Sequence, residues 1–212
     1  MNIVQIGCSV GKDEVSEIIS QNLTILDKII LVDMNPNSLN VCREYYSKIS
    51  DKIIFLNLAI VGDDLVSSIE GFYPKVDPIS PYTSVSKNHV FRHIQFEEGP
   101  AKKEIESFSV PAMSINRLFK EYKIDKLDYL YIDAENLDQD IVDSIDFSDI
   151  IIQNLIFEHI HIQHKDLKKV WNKLRDNNYV GEYVGYNFVC KKRYNLLTYI
   201  NEIIKIAKKI LK

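Results

Sequence analysis

Ile3-Val4-Gln5-Ile6-Gly7-Cys8-Ser9-Val10-Gly11 is an apolar run, a glycine turn and the start of a helical pattern that continues from about Lys12 to Leu23. Glycine lets the backbone turn at positive φ and pass close to a ligand, and the first turn of the following helix favours an anionic group. The chain holds only seven glycines, so the two placed in this one turn are informative. Leu26 to Val32 reads as a second strand ended by Asp33. Asn35-Pro36 then opens a helix with proline in its first turn. Lys52 to Leu56 is a third strand. Strands alternating with helices imply an α/β fold: a mostly parallel sheet with helices on both faces.

The same alternation resumes later in the chain. A helix is expected from about Ser114 to Tyr122, a buried strand over Leu127 to Ile132 and a helix over Asp138 to Ser144. A strand over Ile150 to Glu158 and a helix over Lys165 to Asp176 follow. Tyr179 to Val184 and Tyr186 to Cys190 flank Gly185 and read as a closing antiparallel hairpin, which brings the expected sheet to seven strands. Between the halves, residues 63–107 break the rhythm. Pro74, Pro78 and Pro81 crowd together there without a strong period, as in a long insertion with short elements that suits a substrate lid. The expected organisation is one domain over 1–194 and a basic amphipathic helix over 195–212.

Composition narrows the classes. The chain has 212 residues, 46% of them hydrophobic, enough for one ordinary domain with a real core. A formal charge of −4 argues against general nucleic-acid binding. Cys8, Cys42 and Cys190 are odd in number and far apart, which suits reduced thiols rather than a disulfide framework. No stretch is long and apolar enough to span a bilayer, and the start lacks the pattern of a signal peptide. The expected location is the cytoplasm.

Several residues invite chemistry. Asp33 stands where an open α/β sheet places an acid on ribose hydroxyls; its competing role is to cap the helix holding Pro36. Gly7-x-x-x-Gly11 is not the G-x-G-x-x-G of dinucleotide sites, which weighs against a nicotinamide cofactor. Asn57-Leu58-Ala59 follows the third strand, beside the expected adenine position. Asp133 and Glu135 appear abruptly after an apolar strand, at its carboxyl end. Two such acids take a proton or hold Mg²⁺ with water, and the plainer alternatives are a helix cap and a solvated first-turn acid. If the next strand is adjacent, Glu158, His159 and His161 approach Asp133. His164 reads as a surface residue. His89 and His93, four apart in the insertion, read as polar surface rather than substrate contacts. Tyr73, Tyr82, Phe91 and Phe96 either stack on a sugar or pack the insertion onto the sheet.

With these residues in view, the alternation closed by a hairpin resembles the Rossmann-like class I methyltransferases that use S-adenosylmethionine (SAM), and within them the FkbM family. Gln5-Ile6-Gly7-Cys8-Ser9-Val10-Gly11 matches the family's Asp-x-Gly-Ala-Asn-x-Gly, and Asp33, with Pro36 and Leu39, its second-strand acid. Asn57-Leu58-Ala59 matches an Asn-x-Ala turn, and Tyr82-Thr83-Ser84-Val85 a small serine-bearing patch. Val110 to Ile115 matches the approach to a helix. The most specific match is Tyr129-Leu130-Tyr131-Ile132-Asp133-Ala134-Glu135-Asn136 to Leu-x-x-Ile-Asp-x-Glu-Gly, and Ile156-Phe157-Glu158 matches a later strand ending in Glu. The likeness runs from about Ile3 to Tyr194. Gln5 replaces an acid, Cys8-Ser9 replace Ala-Asn, and Asn136 replaces a glycine.

The resemblance implies cofactor contacts from Gly7, Cys8, Ser9, Gly11, Asp33, Met34, Asn57, Leu58, Ala59 and Asp133. It implies catalysis by Asp133, Glu135, Glu158 and His159, with Asp133, Glu135, Glu158 and His161 as candidate ligands for Mg²⁺. The activity implied is O-methylation of a hydroxyl, most naturally on a sugar of a polysaccharide or other glycan. The alternatives are a methyltransferase for a small metabolite or lipid, and a non-catalytic SAM-binding or scaffold module, which Gln5 and Asn136 keep open. From Lys191 to Lys212 the chain carries seven Lys or Arg against one acid, with Leu196, Ile200, Ile203, Ile204, Ala207, Ile210 and Leu211 at helical spacing. Such a helix docks on the body, lies on an anionic membrane or meets a second copy.

Overall fold

In the computed structural model, residues 1–47, 49, 51–95 and 104–193 are described. The basic C-terminal helix expected over 195–212 and the aromatic Phe96 lie outside them. The chain runs β1 (Asn2–Ile6), α1 (Glu14–Gln21), β2 (Lys28–Asp33), α2 (Pro36–Tyr46), β3 (Ile53–Asn57), β4 (Ala59–Val61), β5 (Ser68–Pro74) and α3 (Lys87–Ile94). It continues through β6 (Ile105–Ser114), α4 (Ile115–Glu121), β7 (Lys126–Ile132), α5 (Asp138–Ser144), β8 (Ile151–Glu158), α6 (His164–Asp176), β9 (Tyr179–Val184) and β10 (Asn187–Lys192).

Seven strands form one sheet in the order β3-β2-β1-β7-β8-β10-β9. The first five are parallel, and β10 and β9 close the edge antiparallel, as the glycine-centred hairpin predicts. Residues two apart on each strand point to one face, and the cores follow that rule. Ile3, Ile29 and Leu31 pack under α1 and α2 with Val15, Ile19, Leu39, Cys42 and Tyr46. Val4, Ile6, Ile30 and Val32 pack under α4, α5 and α6 with Ile115, Leu118, Ile141, Val170 and Leu174. This is the expected α/β architecture with helices on both faces. Each fully buried branched aliphatic in it contributes about 1.5–3 kcal/mol.

Local chemistry sets the helix starts. The Asp13 carboxylate accepts from Ser16 N at 3.1 Å, the Asn35 side chain from Asn37 N at 3.0 Å and Ser114 Oγ from Arg117 N at 3.1 Å. Each satisfies a donor that the helix cannot.

The insertion is more regular than its prolines suggest. β4, β6 and β5 make a second sheet in that order, with β6 central. Pro111 stands at the junction where β6 leaves β5, at Ser68↔Pro111, and meets β4, at Ala59↔Ala112. Its missing N–H therefore interrupts neither ladder, which is how a central strand tolerates it. The small sheet buries Ala59, Val61, Val110 and Ala112 and packs Met34 and Leu137 against them, so it is welded to the carboxyl edge of the main sheet.

Two crossing loops fix that edge. Gly7 has φ +78°, and a Cβ there would fall 1.7 Å from the carbonyl oxygen of Asp133. Gly185, at φ +60° in the hairpin turn, has nothing within 4 Å of that position. Both lose left-handed freedom on substitution, but only Gly7 also meets backbone. Gly185→Ala is expected to cost about 1–2 kcal/mol and Gly7→Ala more than about 4 kcal/mol. Urea unfolding of the two variants checks this, and equal losses would contradict the close approach.

Candidate active site

The parallel register aligns the ends of four strands. Ile6 lies opposite Val32 and Ile132, and Ile132 opposite Phe157. Gly7, Asp33, Asp133 and Glu158 therefore emerge side by side at the carboxyl edge, where open α/β sheets hold ligands. Between this edge and the insertion lies a cleft bounded by Gly7, Ser9, Asp33, Met34, Leu58, Ala59, Asp133 and Glu135, with Ser80, Pro81 and Thr83 from the insertion.

At one end, the buried Asp33 carboxylate accepts from Ser9 N at 2.6 Å and Asn35 N at 2.8 Å. Burial pushes its pKa up to about 6, and the two backbone N–H groups oppose the shift. Ser9 itself is held at φ +45°. Asn57 does not line the cleft. Its Nδ2 donates to the carbonyls of Asp33 and Met34, each at 3.0 Å, and so fixes the backbone that does.

Two other expected cofactor contacts also serve the frame. The Cys8 side chain is fully buried among Val15, Leu39 and Cys42 on the α1–α2 face, where its hydrogen bond to Cys42, and then burial, push the thiol pKa up. Gly11, at φ +74°, clears Cys42 Sγ and the Tyr46 ring, which an added Cβ would approach to 2.7 and 2.8 Å. Its glycine is required by packing beneath the turn rather than by the cleft. Gln5, in place of the family acid, donates from Nε2 to Asp13 Oδ2 at 2.6 Å, so a carboxylate still stands beside the turn.

At the other end, acids and imidazoles gather. Burial, then the charges of Glu158 and Glu135, push Asp133 up to about 7. Burial, then Glu135 and Asp138, push Glu158 up to about 7. Asp138, not foreseen as part of this group, is buried in the first turn of α5, accepts from Ala134 N at 3.1 Å and is raised to about 7 by burial. His161 Nε2 lies 3.4 Å from Glu158 Oε2 and 4.0 Å from Glu135 Oε2. Burial, and then the neighbouring His89, push its pKa down. His159 turns away, with Nε2 3.3 Å from Gly185 O and its ring against Tyr183. His164 is exposed at the start of α6.

The insertion supplies what the sequence reading misses. His89, expected on a polar surface, is only 6% exposed, and its Nε2 lies 2.7 Å from Glu135 Oε2. The amphipathic α3 turns it inward, and His93, one turn further along the same face, stacks on Tyr82 at 4.2 Å. Tyr73 instead bonds Glu106, and Phe91 is exposed. Ser84 locks the insertion to the loop after β7. Its Oγ donates to Glu135 O at 2.8 Å and accepts from Asn136 Nδ2 at 3.2 Å and Ser86 N at 3.1 Å. Glu135 and Asn136 both hold positive φ, +46° and +89°. Asn136 thus occupies a glycine conformation, tethered by its own amide.

The methyltransferase FkbM domain pattern matches residues 6–180. The solved methyltransferase FkbM from Methylobacillus flagellatus superposes with a TM-score of 0.54 at 10% identity, over 90% of this chain and 43% of that one. This chain therefore spans less than half of that protein. The ribosomal protein L11 methylase from Lactobacillus delbrueckii subsp. bulgaricus gives 0.44 at 11% identity, over 91% and 70% of the two chains. An O-methyltransferase from Bacillus cereus, solved in complex with SAH, gives 0.45 at 9% identity, over 91% and 74%. The fold argument rests on the first of these. No curated protein matches in sequence.

The tether of Asn136 makes a prediction. Asn136→Ala keeps the left-handed strain without the amide and is expected to cost about 1–2 kcal/mol, plus about 1 kcal/mol for the hydrogen bond. Asn136→Gly, the family residue, is expected to be neutral within about 1 kcal/mol. Chemical denaturation of both checks it, and an alanine variant as stable as the glycine variant would contradict it.

Proposed function

The chain belongs to the FkbM methyltransferase family, and from that premise we propose that it transfers a methyl group from SAM to a hydroxyl, the acceptor being a sugar of a glycan. The observation that carries the reading is one cleft with two chemically different ends. Asp33, Met34, Leu58 and Ala59 offer a carboxylate and apolar walls at one end. Glu135 with its imidazole neighbours His89 and His161 stands at the other.

The residues fit SAM. The missing side chain at Gly7 leaves room where backbone crosses backbone, and Asp33 keeps lone pairs beyond its two backbone donors for ribose hydroxyls. SAM supplies a methyl group already activated on a sulfonium; displacement forms the C–O bond, breaks the C–S bond and leaves the electron pair on sulfur. What remains for the protein is to align the acceptor and to take the hydroxyl proton. We assign that role to the carboxylates of Asp133 and Glu135, with Asp133 beside the glycine turn. A sugar acceptor is supported by the Tyr82–His93 stack beside His89, an aromatic wall 40% exposed at Tyr82 that suits a sugar ring.

Asp33→Ala is expected to weaken SAM binding by about 1.5–3 kcal/mol, the scale of charged hydrogen bonds. The sign of the pH dependence follows from a carboxyl raised to about 6. Below that pH Asp33 is protonated and accepts poorly, so affinity rises with pH and levels off above it. The contribution of Asp33 approaches tenfold per pH unit in the acid limb, and Asp33→Ala removes it. Calorimetry from pH 5 to 8 measures both effects. NAD binding in place of SAM, or an unchanged acid limb in the variant, would contradict the assignment.

Glu135→Gln and Asp133→Asn keep size and remove charge. Each is expected to lower turnover roughly 10²-fold while SAM affinity changes much less, with Asp133→Asn showing the larger affinity loss. Methyl transfer and SAM binding measured on the same preparations check this. Full activity in both variants would shift the proton-accepting role to Glu158 or His161.

A further inference from the structure

We infer that His89, Glu135 and His161 form a binding site for a divalent transition-metal ion of the Zn²⁺ or Co²⁺ type, with Glu158 at its edge. The inference deepens the reading of this end of the cleft as the acceptor site and rests on it for its purpose, but the site itself stands on geometry alone. His89 Nε2, Glu135 Oε2 and His161 Nε2 all lie within 4.8 Å of one another. Among the described residues, no other group of His, Cys, Asp and Glu brings its ligating atoms together in this way.

The plain alternative is an ion pair between His89 and Glu135, and its geometry argues against it. The two atoms approach to 2.7 Å, yet each is buried without a hydrogen-bond partner. Glu158 Oε2 is buried and unsatisfied in the same way, although it lies 3.4 Å from His161 Nε2. Three buried polar atoms left unbonded at one place are costly. A cation held by His89, Glu135 and His161 gives two of them, His89 Nε2 and Glu135 Oε2, a partner at once.

The spacing suits an ion. Bonds of about 2.0–2.1 Å to a tetrahedral centre put neighbouring ligand atoms about 3.3 Å apart. Glu135 Oε2 lies 2.7 Å from His89 Nε2 and 4.0 Å from His161 Nε2, on either side of that value. The ligands come from three elements, namely α3, the loop after β7 and the loop after β8. Ser84 fixes the first two to each other. His89 is 6% exposed and Glu135 19%, while His161 is 25% exposed and leaves the group open to solvent on one side. Three protein ligands with one open position is the arrangement of catalytic rather than structural zinc.

The donor set also selects the metal. Two imidazole nitrogens and a carboxylate suit zinc and its transition-metal neighbours. Mg²⁺ prefers oxygen ligands and keeps several waters, so the Mg²⁺ expected at Asp133, Glu135, Glu158 and His161 gives way to a softer ion once His89 joins. An acceptor hydroxyl in the open position would have its pKa lowered.

Co²⁺ added to the chelator-treated full chain tests this by absorbance, followed by competition with Zn²⁺ and Mg²⁺. The expected result is a visible d–d band of low-coordinate Co²⁺, abolished by Zn²⁺ and unaffected by excess Mg²⁺. His161→Ala and His89→Gln should each weaken Zn²⁺ binding by at least roughly the 10²-fold that outer-shell changes alone reach. Circular dichroism confirms that each variant is folded, and the partly exposed His161 serves if His89→Gln is not. No band, Zn²⁺ affinity unchanged in a folded variant, or displacement by Mg²⁺ would overturn the site. The spectrum needs neither methyl donor nor acceptor, so the two readings fail separately. A band without methyl transfer sinks the enzyme reading alone, and chelator-insensitive transfer without a band sinks the metal site alone.

Discussion

The active edge depends on a contact that only a glycine permits. At Gly7 the turn after β1 passes so close to the carbonyl of Asp133 that no side chain fits. Just before it, Asp133 N donates to Ile6 O at 2.9 Å. These contacts tie the exits of β1 and β7 together, and Asp133, Ala134 and Glu135 follow directly from the tie. On the other side, Gly7 N and Cys8 N both donate to Val32 O, at 2.9 and 3.1 Å, which brings the end of β2 and Asp33 to the same turn. One backbone crossing thus sets the distance between the two ends of the cleft.

The second determinant is strain held in place by the insertion. Positive φ at a non-glycine residue costs roughly 1–3 kcal/mol, and three such residues, Ser9, Glu135 and Asn136, surround the cleft. The Ser84 hydroxyl, fully buried, holds two of them from across the fold. The insertion is therefore part of the site. It positions Glu135 through Ser84 and adds His89 through α3. Burial first, and then the neighbouring carboxylates, raises the pKa values of Asp133, Asp138 and Glu158 where these acids gather at one edge.

Much of the frame is legible in the sequence because it follows from periodicity. Period-two alternation in Ile3–Ile6 and Ile29–Val32 needs only two apolar layers, and the structure has them. The parallel neighbours β7 and β8, which bring Glu158 to Asp133, follow from the alternation once the order is known. His89 is not legible, because spacing gives a helix face but not what that face meets. The inward turn of α3 depends on Ser84 and on a small sheet whose central strand carries Pro111, a residue that reads locally as a break. Cys8 and Gly11 belong to the glycine motif, yet one fills the core and the other clears it. A motif marks where a turn must be tight, and packing decides which of its residues face the ligand.

The most direct test of this account is where the sulfur of bound S-adenosylhomocysteine sits, determined by crystallography of the complex. The account predicts the adenosine against Met34, Leu58 and Ala59, the ribose hydroxyls on the Asp33 carboxylate, and the sulfur facing Asp133 on the side of Glu135 and His89. A ligand bound away from Gly7 and Asp33, or a sulfur directed away from the Glu135 cluster, would contradict it.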